Sequence, residues 1–441
     1  MKRAHFIGIG GVGISALARY FLSQDWQVSG SDSSDSKIIR DLKKEGVKIN
    51  LGQNKKNVRK NINLVIYTAA VKKDNPELKR ANDMGIKTQT YAEALGELTK
   101  DYFTIAVSGS HGKSTTTSML SMILVKAGLD PTVIVGTKLK EFGGSNFRAG
   151  KSKYLVIEAD EWNKSFLNYW PQAVILTNID KEHLDTYGTE ASVVKTFSEY
   201  VSHLPQNGIL IANWQDKNSR KVALGSGRKI IFYNKSRISA RYLRVPGAHN
   251  RLNAEAAWQA AKTLGVKKVV ADSALASYRG AWRRLELIQN SKFKNQNLCV
   301  YSDYAHHPTE IKATLQALRE KHPNQKIVCV FQPHQADRLT RLFPEFTKAF
   351  DGADEIVLLP IYKPKGRESR RFKFGRPITT SALLKNEKTS FDLHKVLKKR
   401  TSVEYCGSFS ALSKYFNADQ KNSVFVFMSA GDLDSWLRRN S

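Results

Sequence analysis

The strongest chemical pattern in this sequence is a glycine turn that ends in lysine and serine. It reads Gly109-Ser110-His111-Gly112-Lys113-Ser114-Thr115 and directly follows the apolar run 103–107. In such a turn the backbone N–H groups and the start of the next helix bind phosphate, the lysine adds a positive charge, and the hydroxyl binds magnesium. The longer form of the motif has glycine where this chain has Val107. The pattern predicts a nucleoside triphosphate site, with a plain strand-to-helix turn as the alternative.

Acidic side chains follow two later apolar runs. Glu158-Ala159-Asp160-Glu161 ends the first, and the segment 177–185, which contains His183, ends the second. Ligands bind beyond the carboxyl ends of strands in open parallel sheets, and Mg²⁺ prefers oxygen ligands. Histidine is a less usual partner for Mg²⁺, and a lone histidine here would cap or pack against a helix. Because Ser114 and Glu158 lie at neighbouring strand ends, we predict that His183 belongs to the same site.

A second glycine turn opens the chain. Residues 8–13 read Gly-Ile-Gly-Gly-Val-Gly, and Asp32 follows after the next predicted strand. A turn of this kind with an acid about twenty positions later is the fingerprint of a dinucleotide site. The same geometry holds any diphosphate at a helix N-terminus. Since a separate triphosphate turn follows, a nucleotide-diphosphate substrate competes with NAD for this site.

Two polar segments farther along the chain contain histidines. His249 and Asn250 lie in the segment 245–253, which precedes a predicted helix at 254–264, and a turn with a helix cap would explain them equally well. The segment 303–310 reads Asp-Tyr-Ala-His-His-Pro-Thr-Glu. A helix start accounts for its proline and its acid, but not for two adjacent histidines.

Alternating strand and helix patterns must position these motifs. The near-continuous apolar runs are typical of strands buried on both faces of a parallel sheet; they lie at 64–69, 132–135, 154–158, 173–178, 209–212, 298–303, 326–331, 355–360 and 423–428. Helical patterns lie between them, including 308–320 and 340–350. The alternation of strands and helices occurs in three successive sets. This predicts an α/β protein of three doubly wound domains at 1–100, 101–283 and 284–441.

The charge of the chain raises a second class of function. Seventy Lys and Arg against 40 Asp and Glu give a formal net charge of +30, and nucleic-acid binding is one explanation of such an excess. However, the cations form separate islands at 43–60, 363–376 and 395–400, without the regular aromatic residues of single-strand binders. We therefore expect no nucleic-acid partner, and we predict that 363–376 is an exposed loop.

The remaining composition is that of an ordinary globular protein. No stretch approaches the roughly 18 consecutive apolar residues of a membrane span, and the chain opens on a strand pattern, so we expect a cytoplasmic protein with no membrane partner. Cys299, Cys329 and Cys406 stand far apart. This spacing argues against a disulfide framework or a thiolate metal site, and we interpret them as core residues.

Taken in order, the motifs resemble those of the Mur ligases. Besides the segments above, the resemblance includes Ser165-Phe166-Leu167, His183-Leu184-Asp185-Thr186-Tyr187, Arg283-Arg284 and Phe331-Gln332-Pro333-His334, and it covers essentially the whole chain. It implies a Rossmann-like N-terminal domain that holds a UDP-sugar, a central P-loop ATPase domain and a Rossmann-like C-terminal domain that brings the amino acid.

The resemblance also implies a reaction. The lactyl carboxylate of UDP-N-acetylmuramate attacks the γ-phosphate of ATP, and the amine of L-alanine attacks the acyl phosphate, releasing phosphate. The products are an amide, ADP and phosphate, and the pathway is peptidoglycan precursor synthesis. ATP and Mg²⁺ are the implied cofactors. Such a phosphoryl transfer needs positioning and charge neutralisation more than covalent help from the protein.

The roles of single residues follow from the same resemblance. Ser114 and Glu158 would hold one Mg²⁺, and His183 with Glu158 a second. The residues implied to contact ATP are Gly109, Ser110, His111, Gly112, Lys113, Ser114, Thr115, His249, Asn250, Arg284 and Asp303. The UDP pocket would be lined by Gly10, Gly11, Val12 and Asp32. The amino acid or the intermediate would contact His306, His334 and Arg338, and the catalytic set would be Lys113, Glu158, His183, His306 and Arg338.

Several positions depart from the family pattern. Ser114 stands where threonine is general, which keeps the hydroxyl ligand. Gln335 and Tyr91 each stand where arginine is usual, although Arg338 is retained. Near the C-terminus Met-Ser-Ala-Gly-Asp at 428–432 replaces Gly-Ala-Gly-Asp, and the segment after 362 is unusually basic. These changes leave the ATP machinery intact and the choice of amino acid open.

Three alternatives to this reading stay open at the level of sequence. Inside the family, a recycling ligase would add a whole peptide instead of one amino acid. The N-terminal glycines alone would favour a nicotinamide oxidoreductase, and the charge alone would favour a nucleic-acid-binding protein. The presence of Lys113, Glu158 and His183 together favours an active ligase.

Overall fold

The fold is known from a computed structural model, which describes residues 1–234, 238, 243–288, 298–363, 387–416 and 422–440 together with the backbone of 372–373 and 376–377. The basic segment that follows Lys363, predicted to be an exposed loop, otherwise lies outside the described residues. Among the described residues, no helix is both long enough and apolar enough to cross a membrane.

The first sheet is parallel throughout, with strand order β3-β2-β1-β4-β5. Its strands are β1 (Arg3–Ile7), β2 (Gln27–Asp32), β3 (Lys48–Leu51), β4 (Leu64–Tyr67) and β5 (Lys87–Thr90). The helices that accompany it are α1 (Val12–Ser23), α2 (Lys37–Lys44), α3 (Pro76–Asp83) and α4 (Tyr91–Lys100), with a 3₁₀ turn at Lys55–Asn57. All five carboxyl strand ends therefore meet at one edge, where the first glycine turn lies.

The second sheet has the order β12-β11-β10-β6-β9-β7-β8 and is parallel except where β8 pairs with β7. Its strands are β6 (Phe103–Ser108), β7 (Thr132–Leu139), β8 (Ser145–Arg148), β9 (Tyr154–Ala159), β10 (Ala173–Leu176), β11 (Ile209–Asn213) and β12 (Lys229–Tyr233). The helices that follow in the chain are α5 (Lys113–Lys126), α6 (Leu184–Tyr187), α7 (Glu190–Ser202), α8 (Lys217–Leu224), α9 (Ala248–Thr263) and α10 (Lys268–Ser277), with 3₁₀ turns at Lys140–Phe142 and Trp162–Asn168. All four residues of β10 are buried, as expected of a strand covered on both faces.

The third sheet has the order β13-β14-β20-β15-β16-β19, and the short strand β13 alone runs antiparallel to its neighbour. Its strands are β13 (Glu286–Leu287), β14 (Cys299–Asp303), β15 (Lys326–Phe331), β16 (Glu355–Leu358), β19 (Ser402–Tyr405) and β20 (Ser423–Met428). A separate two-stranded ribbon consists of β17 (Phe372–Lys373) and β18 (Arg376–Pro377). The helices are α11 (Pro308–Lys321), α12 (Ala336–Arg341), α13 (Phe343–Phe346), α14 (Ser390–Leu397), α15 (Phe409–Phe416) and α16 (Leu433–Asn440).

The chain divides into two compact units. The first comprises 1–243 and 252–279 and contains the first two sheets; the second comprises 244–251 and 280–441 and contains the third. Three doubly wound sheets, parallel except at β8 and β13, confirm the predicted α/β fold class. The predicted domain limits at 100 and 283 stay predictions.

Two predicted helices have different limits in the structure. The helix predicted at 340–350 is wrong, because α12 ends at Arg341 and α13 begins at Phe343 with a proline in its first turn. Proline cannot donate the hydrogen bond that would continue the preceding helix. The helix predicted at 254–264 begins six residues earlier, at Ala248.

Candidate active site

The triphosphate turn connects β6 to α5, as its sequence predicted. Gly109 and Gly112 have φ angles of +133° and +84°. A Cβ on Gly109 would lie 2.0 Å from Thr177 Oγ1, and one on Gly112 would lie 2.6 Å from Asn253 Oδ1. Both positions therefore require glycine. Gly112 caps α5 without a side-chain bond, so the first N–H groups of the helix, from Lys113 onward, are available to an anion.

The loop after β10 holds the turn in place. The backbone N–H of Ser110 donates to the carbonyl of Asn178, and that of His111 donates to Asn178 Oδ1, both at 2.9 Å. Thr177 Oγ1 donates to the His111 carbonyl at 2.7 Å. His111 Nε2 lies 3.0 Å from Asp180 Oδ2. The turn is thus preformed by its neighbour strand rather than by its own residues alone.

Lys113 points back across the turn. Its Nζ donates to the carbonyls of Gly109 at 2.7 Å and Ser110 at 3.2 Å, and to Glu161 Oε2 at 2.7 Å. Burial acts to lower the pKa of Lys113, but the carboxylates of Glu161 and Asp160 outweigh it and hold that pKa above its usual value. The lysine therefore stays charged where the sequence predicts a phosphate group.

Ser114 and Glu158 meet beside the lysine. Ser114 Oγ donates to Glu158 Oε2 at 3.0 Å, and the backbone N–H of Gly136 donates to Glu158 Oε1 at 2.6 Å. A hydroxyl and a carboxylate at the mouth of a phosphate turn form a donor set of hard oxygen atoms. That set fits Mg²⁺, and it is the pair that the sequence predicted.

His183 lies at the cap of α6, in the left-handed region with φ +53°. Its Nε2 lies 3.7 Å from Glu161 Oε1. One ligand atom each from Asp160, Glu161 and His183 lies within 4.8 Å of the others, a spacing that could hold a metal ion. Glu161 is 1% exposed and joins His183 to Lys113. Glu161 is part of the motif 158–161, but no role was predicted for it from sequence.

The N-terminal glycine turn is fixed by the acid that follows β2. Asp32 Oδ2 accepts the N–H of Gly10 at 2.9 Å, and the carbonyl of Ser31 accepts the N–H of Gly8 at 2.8 Å. Gly11 caps α1 without a side-chain bond, which leaves the first N–H groups of α1, at Val12 and beyond, directed at the turn. Asp32 thus shapes the predicted diphosphate cradle through Gly10.

His249 and Asn250 lie in the first turn of α9. Asn250 Nδ2 donates to the Pro246 carbonyl at 2.7 Å, so the amide closes the turn that enters the helix. Burial, helped by the nearby Arg251, lowers the pKa of His249 to about 4. His249 is therefore neutral at pH 7. The turn-and-cap interpretation holds for Asn250, while the predicted contact with adenine stays a prediction.

The third sheet brings His306, His334 and Arg338 together. The two histidine rings have centroids 5.6 Å apart at an interplanar angle of 82°, and Arg338 Nη1 lies 3.4 Å from His334 Nδ1. Tyr362 stacks on His334 at 5.7 Å. His306 Nδ1 lies 3.1 Å from Glu310 Oε2. The three predicted residues form one cluster. The structure adds Tyr362 to it, a residue with no role predicted from the sequence.

Models of the Mur ligase family match nearly the whole chain. The model of the family's catalytic domain matches 3–103, that of the middle domain matches 107–244, and that of the glutamate ligase domain matches 283–431. The chain belongs to the Mur ligase family.

Curated relatives and solved structures agree with this assignment. The chain is similar to the UDP-N-acetylmuramate–L-alanine ligase of Clostridium acetobutylicum, with 39% identity over 98% of this chain and 96% of that one. The same ligase of Caldicellulosiruptor saccharolyticus is 37% identical over 99% and 98%. The crystal structure of the UDP-N-acetylmuramate–alanine ligase of Thermotoga maritima has a TM-score of 0.81 and 27% identity over 100% and 98%. A murein peptide ligase of Psychrobacter arcticus shares the fold, with a TM-score of 0.70 and 23% identity over 100% and 98%.

In this Mur ligase, Arg284 precedes β13 and Asp303 ends β14. Asp303 accepts the N–H of Leu285 at 2.6 Å with one carboxylate oxygen and that of Ala305 at 2.7 Å with the other. The Arg284 guanidinium lies 4.9 Å from the centre of the Tyr304 ring. Asp303 therefore fixes the backbone that carries Arg284.

Asp303 gives this region a pH dependence. Burial raises the pKa of Asp303 to about 6, with Arg284 acting in the opposite direction. Because the folded-state pKa lies above the unfolded value of 3.8, its contribution to stability is present below about pH 4 and is lost as the pH rises through 6. We expect the free energy of local opening at Leu285 and Ala305, from hydrogen exchange, to fall by about 3 kcal/mol over that range.

The Asp303→Asn variant is the control for that measurement. Asparagine does not titrate, so its opening free energy should lack the pH slope between 4 and 6. Its amide nitrogen must also face one of the two N–H donors, so the variant should open more easily than the parent at pH 7, by about 1–3 kcal/mol. Equal slopes in the two proteins would show that the titrating group is another residue.

Proposed function

We propose that this Mur ligase uses ATP to join L-alanine to UDP-N-acetylmuramate. The family assignment makes the chain an ATP-dependent amide-forming ligase. The observation that carries the proposal is the group of contacts at the triphosphate turn, formed by Lys113, Ser114, Glu158 and Glu161. The chain is also 39% identical, over 98% of its length, to a UDP-N-acetylmuramate–L-alanine ligase.

The proposed division of labour follows the three sheets. Residues 1–100 would hold the UDP-sugar at Gly10, Gly11, Val12 and Asp32, and 101–283 would bind ATP. Residues 284–441 would hold the amino acid near His306, His334 and Arg338. The matched family models at 3–103, 107–244 and 283–431 support these limits. The use of ATP favours a cytoplasmic location.

Phosphoryl transfer comes first in the proposed reaction. A lactyl carboxylate oxygen forms a bond to the γ-phosphorus of ATP, the bond to the β-phosphate oxygen breaks, and ADP leaves. Lys113 would hold the γ-phosphate, exchanging its bond to Glu161 for bonds to phosphate oxygens. The N–H groups that begin α5 would neutralise the remaining negative charge. Positioning and charge neutralisation are what such a transfer requires.

Mg²⁺ would be held by Ser114 and Glu158, with His183 near a second ion. When bound, the ion neutralises charge on the phosphate oxygens. The residues themselves prepare the site: Gly136 orients Glu158 through its N–H group, and Glu161 keeps His183 and Lys113 beside each other.

Amide formation completes the proposed reaction. The uncharged amine of L-alanine attacks the acyl carbon, and the bond from that carbon to the phosphate oxygen breaks. Phosphate leaves and takes up the proton that the nitrogen loses. Arg338, which is 9% exposed and beside His334, would pair with the carboxylate of the amino acid. His306 and Tyr362 would form walls around it.

Phosphate release from Mg·ATP tests the proposal. We expect release that requires both UDP-N-acetylmuramate and L-alanine, measured against L-serine, glycine and an alanyl-glutamyl-diaminopimelate tripeptide as rival amines. Preference for the tripeptide would assign the chain to peptide recycling instead. No release with any amine, from folded protein, would overturn the proposal.

A further inference from the structure

Tyr91 is one of the residues at which this chain departs from the family pattern, and it occupies a particular place in the fold. It begins α4, whose start is fixed by a capping box between Thr90 and Glu93. A Cβ built on Gly13 would lie 3.0 Å from both the Cζ and the hydroxyl oxygen of Tyr91. The tip of the phenol therefore lies against the first turn of α1, immediately after the glycine turn.

The helix that Tyr91 begins also contacts the domain of the second sheet. Helix α4 packs on the 3₁₀ turn Trp162–Asn168, so closely that a Cβ on Gly96 would lie 2.3 Å from the carbonyl oxygen of Asn168. Burial, and then the charges of Glu158 and Asp160, hold the pKa of Tyr91 above its usual value. The phenol is thus near the carboxylates of the predicted metal site and stays protonated at neutral pH.

The Tyr91 hydroxyl has no protein partner in the part of the chain that the structure describes. Tyr91 as a whole is half-buried. A protonated phenol beside carboxylates is a neutral donor, suited to an anionic oxygen that must approach them. Because the phenol is neutral, it does not compete with a metal cation for the carboxylate of Glu158. A positively charged arginine at the same position would compete.

We propose that the Tyr91 hydroxyl binds the sugar nucleotide. It donates a hydrogen bond to an anionic oxygen of that substrate, at a point between the N-terminal glycine turn and the triphosphate turn. This inference rests on the proposed function. The reacting carboxylate must extend from the diphosphate near Gly11 to the phosphate near Lys113, and Tyr91 lies beside Gly13 on one side and near Glu158 on the other. The contact is specific to this substrate, since neither ATP nor the amino acid spans that interval.

The Tyr91→Phe variant tests the inference because it removes the oxygen and keeps the ring. We expect the KM for UDP-N-acetylmuramate to rise about 10- to 100-fold, the cost of a lost hydrogen bond to a charged group, while the KM for ATP stays within about twofold. Calorimetric titration of UDP-N-acetylmuramate without ATP should show the same loss of affinity. Tyr91→Arg restores a donor and is expected to recover most of that affinity.

Tyr20→Phe is the matched control. Tyr20 lies on the same helix as Gly13, with its hydroxyl 3.4 Å from that of Tyr102, and its loss should leave both KM values unchanged. An active parent enzyme whose Tyr91→Phe variant keeps its affinity for the sugar nucleotide would overturn this inference alone. Equal rises in the KM values for ATP and the sugar nucleotide would show a general structural defect and would also overturn it. A parent enzyme without ligase activity would instead overturn the proposed function.

Discussion

Replacing Lys113 with methionine is expected to lower kcat for phosphate release by about 10²- to 10³-fold. The ammonium group is the one lysine charge at the triphosphate turn, and it is aligned in advance by the carbonyls of Gly109 and Ser110. Preorganised charge of this kind acts where negative charge moves during phosphoryl transfer, so its loss affects the chemical step more than substrate binding. Initial rates at saturating ATP, UDP-N-acetylmuramate and L-alanine would measure the change.

The Lys113→Met variant also leaves the buried carboxylate of Glu161 without its lysine partner. A loss of activity could then reflect unfolding, and the double variant Lys113→Met, Glu161→Gln separates the two effects. We expect the double variant to melt near the parent temperature while it remains inactive. Lys126→Met, at the exposed end of the same helix, should keep full activity. A folded Lys113→Met enzyme with kcat within threefold of the parent would contradict the prediction.

The triphosphate turn could be predicted from sequence because its chemistry is local. Strand, turn, lysine and hydroxyl are consecutive, and each residue type has one physical reason to be there. The pairing of Ser114 with Glu158 was also predictable, since both follow buried parallel strands. In the structure β9 and β10 lie on either side of β6, which brings both acidic loops to the turn.

Other parts of the site depend on tertiary packing that a sequence does not specify. Glu161 stands three residues after Glu158, and its contact with Lys113 forms only in the folded chain. Asn178 and Asp180 support the turn through a carbonyl, an amide and a carboxylate, contacts that require the order of the strands. Tyr362 reaches His334 through a chain segment with no motif of its own.

The errors in element limits have local causes. The predicted helix at 340–350 had a continuous apolar pattern, but the proline in α13 ends that continuity. The helix α9 begins at Ala248 because Gly247, with φ +103°, completes the entry turn that Asn250 closes. Periodicity indicates which face of a helix is buried, while its ends are decided by caps.

The largest expected effect on stability comes from Glu77, which is fully buried in the N-terminal sheet domain. Its carboxylate accepts from Ser31 Oγ at 2.6 Å, from the N–H of Asn54 at 3.0 Å and from Asn57 Nδ2 at 2.6 Å, and it lies 3.2 Å from His5 Nε2. Burial acts to raise the pKa of Glu77, but these bonds outweigh it and lower that pKa below its usual value. The charged form is therefore the one that the fold holds.

Glu77→Ala is expected to lower the free energy of unfolding at pH 7 by about 3–5 kcal/mol, because it leaves the buried side chains of His5 and Ser31, and the less buried donors at Asn54 and Asn57, without their acceptor. The folded-state pKa lies below the unfolded one, so the stabilisation is present above about pH 4.5 and is lost as the pH falls through the folded value. Urea unfolding at pH 7 and at pH 3.5 should therefore give a smaller difference between parent and variant at the lower pH.

Glu97→Ala is the control for Glu77→Ala. Glu97 lies on the exposed face of α4 with the exposed Lys100, so its loss should change stability little.

Glu77 is also connected to the N-terminal glycine turn through Ser31, whose carbonyl accepts the N–H of Gly8. Loss of the carboxylate should therefore raise the KM for UDP-N-acetylmuramate at temperatures where the variant is still folded. A Glu77→Ala protein within about 1 kcal/mol of the parent would mean that the four donors find water instead, and that this network orders the turn without stabilising the domain.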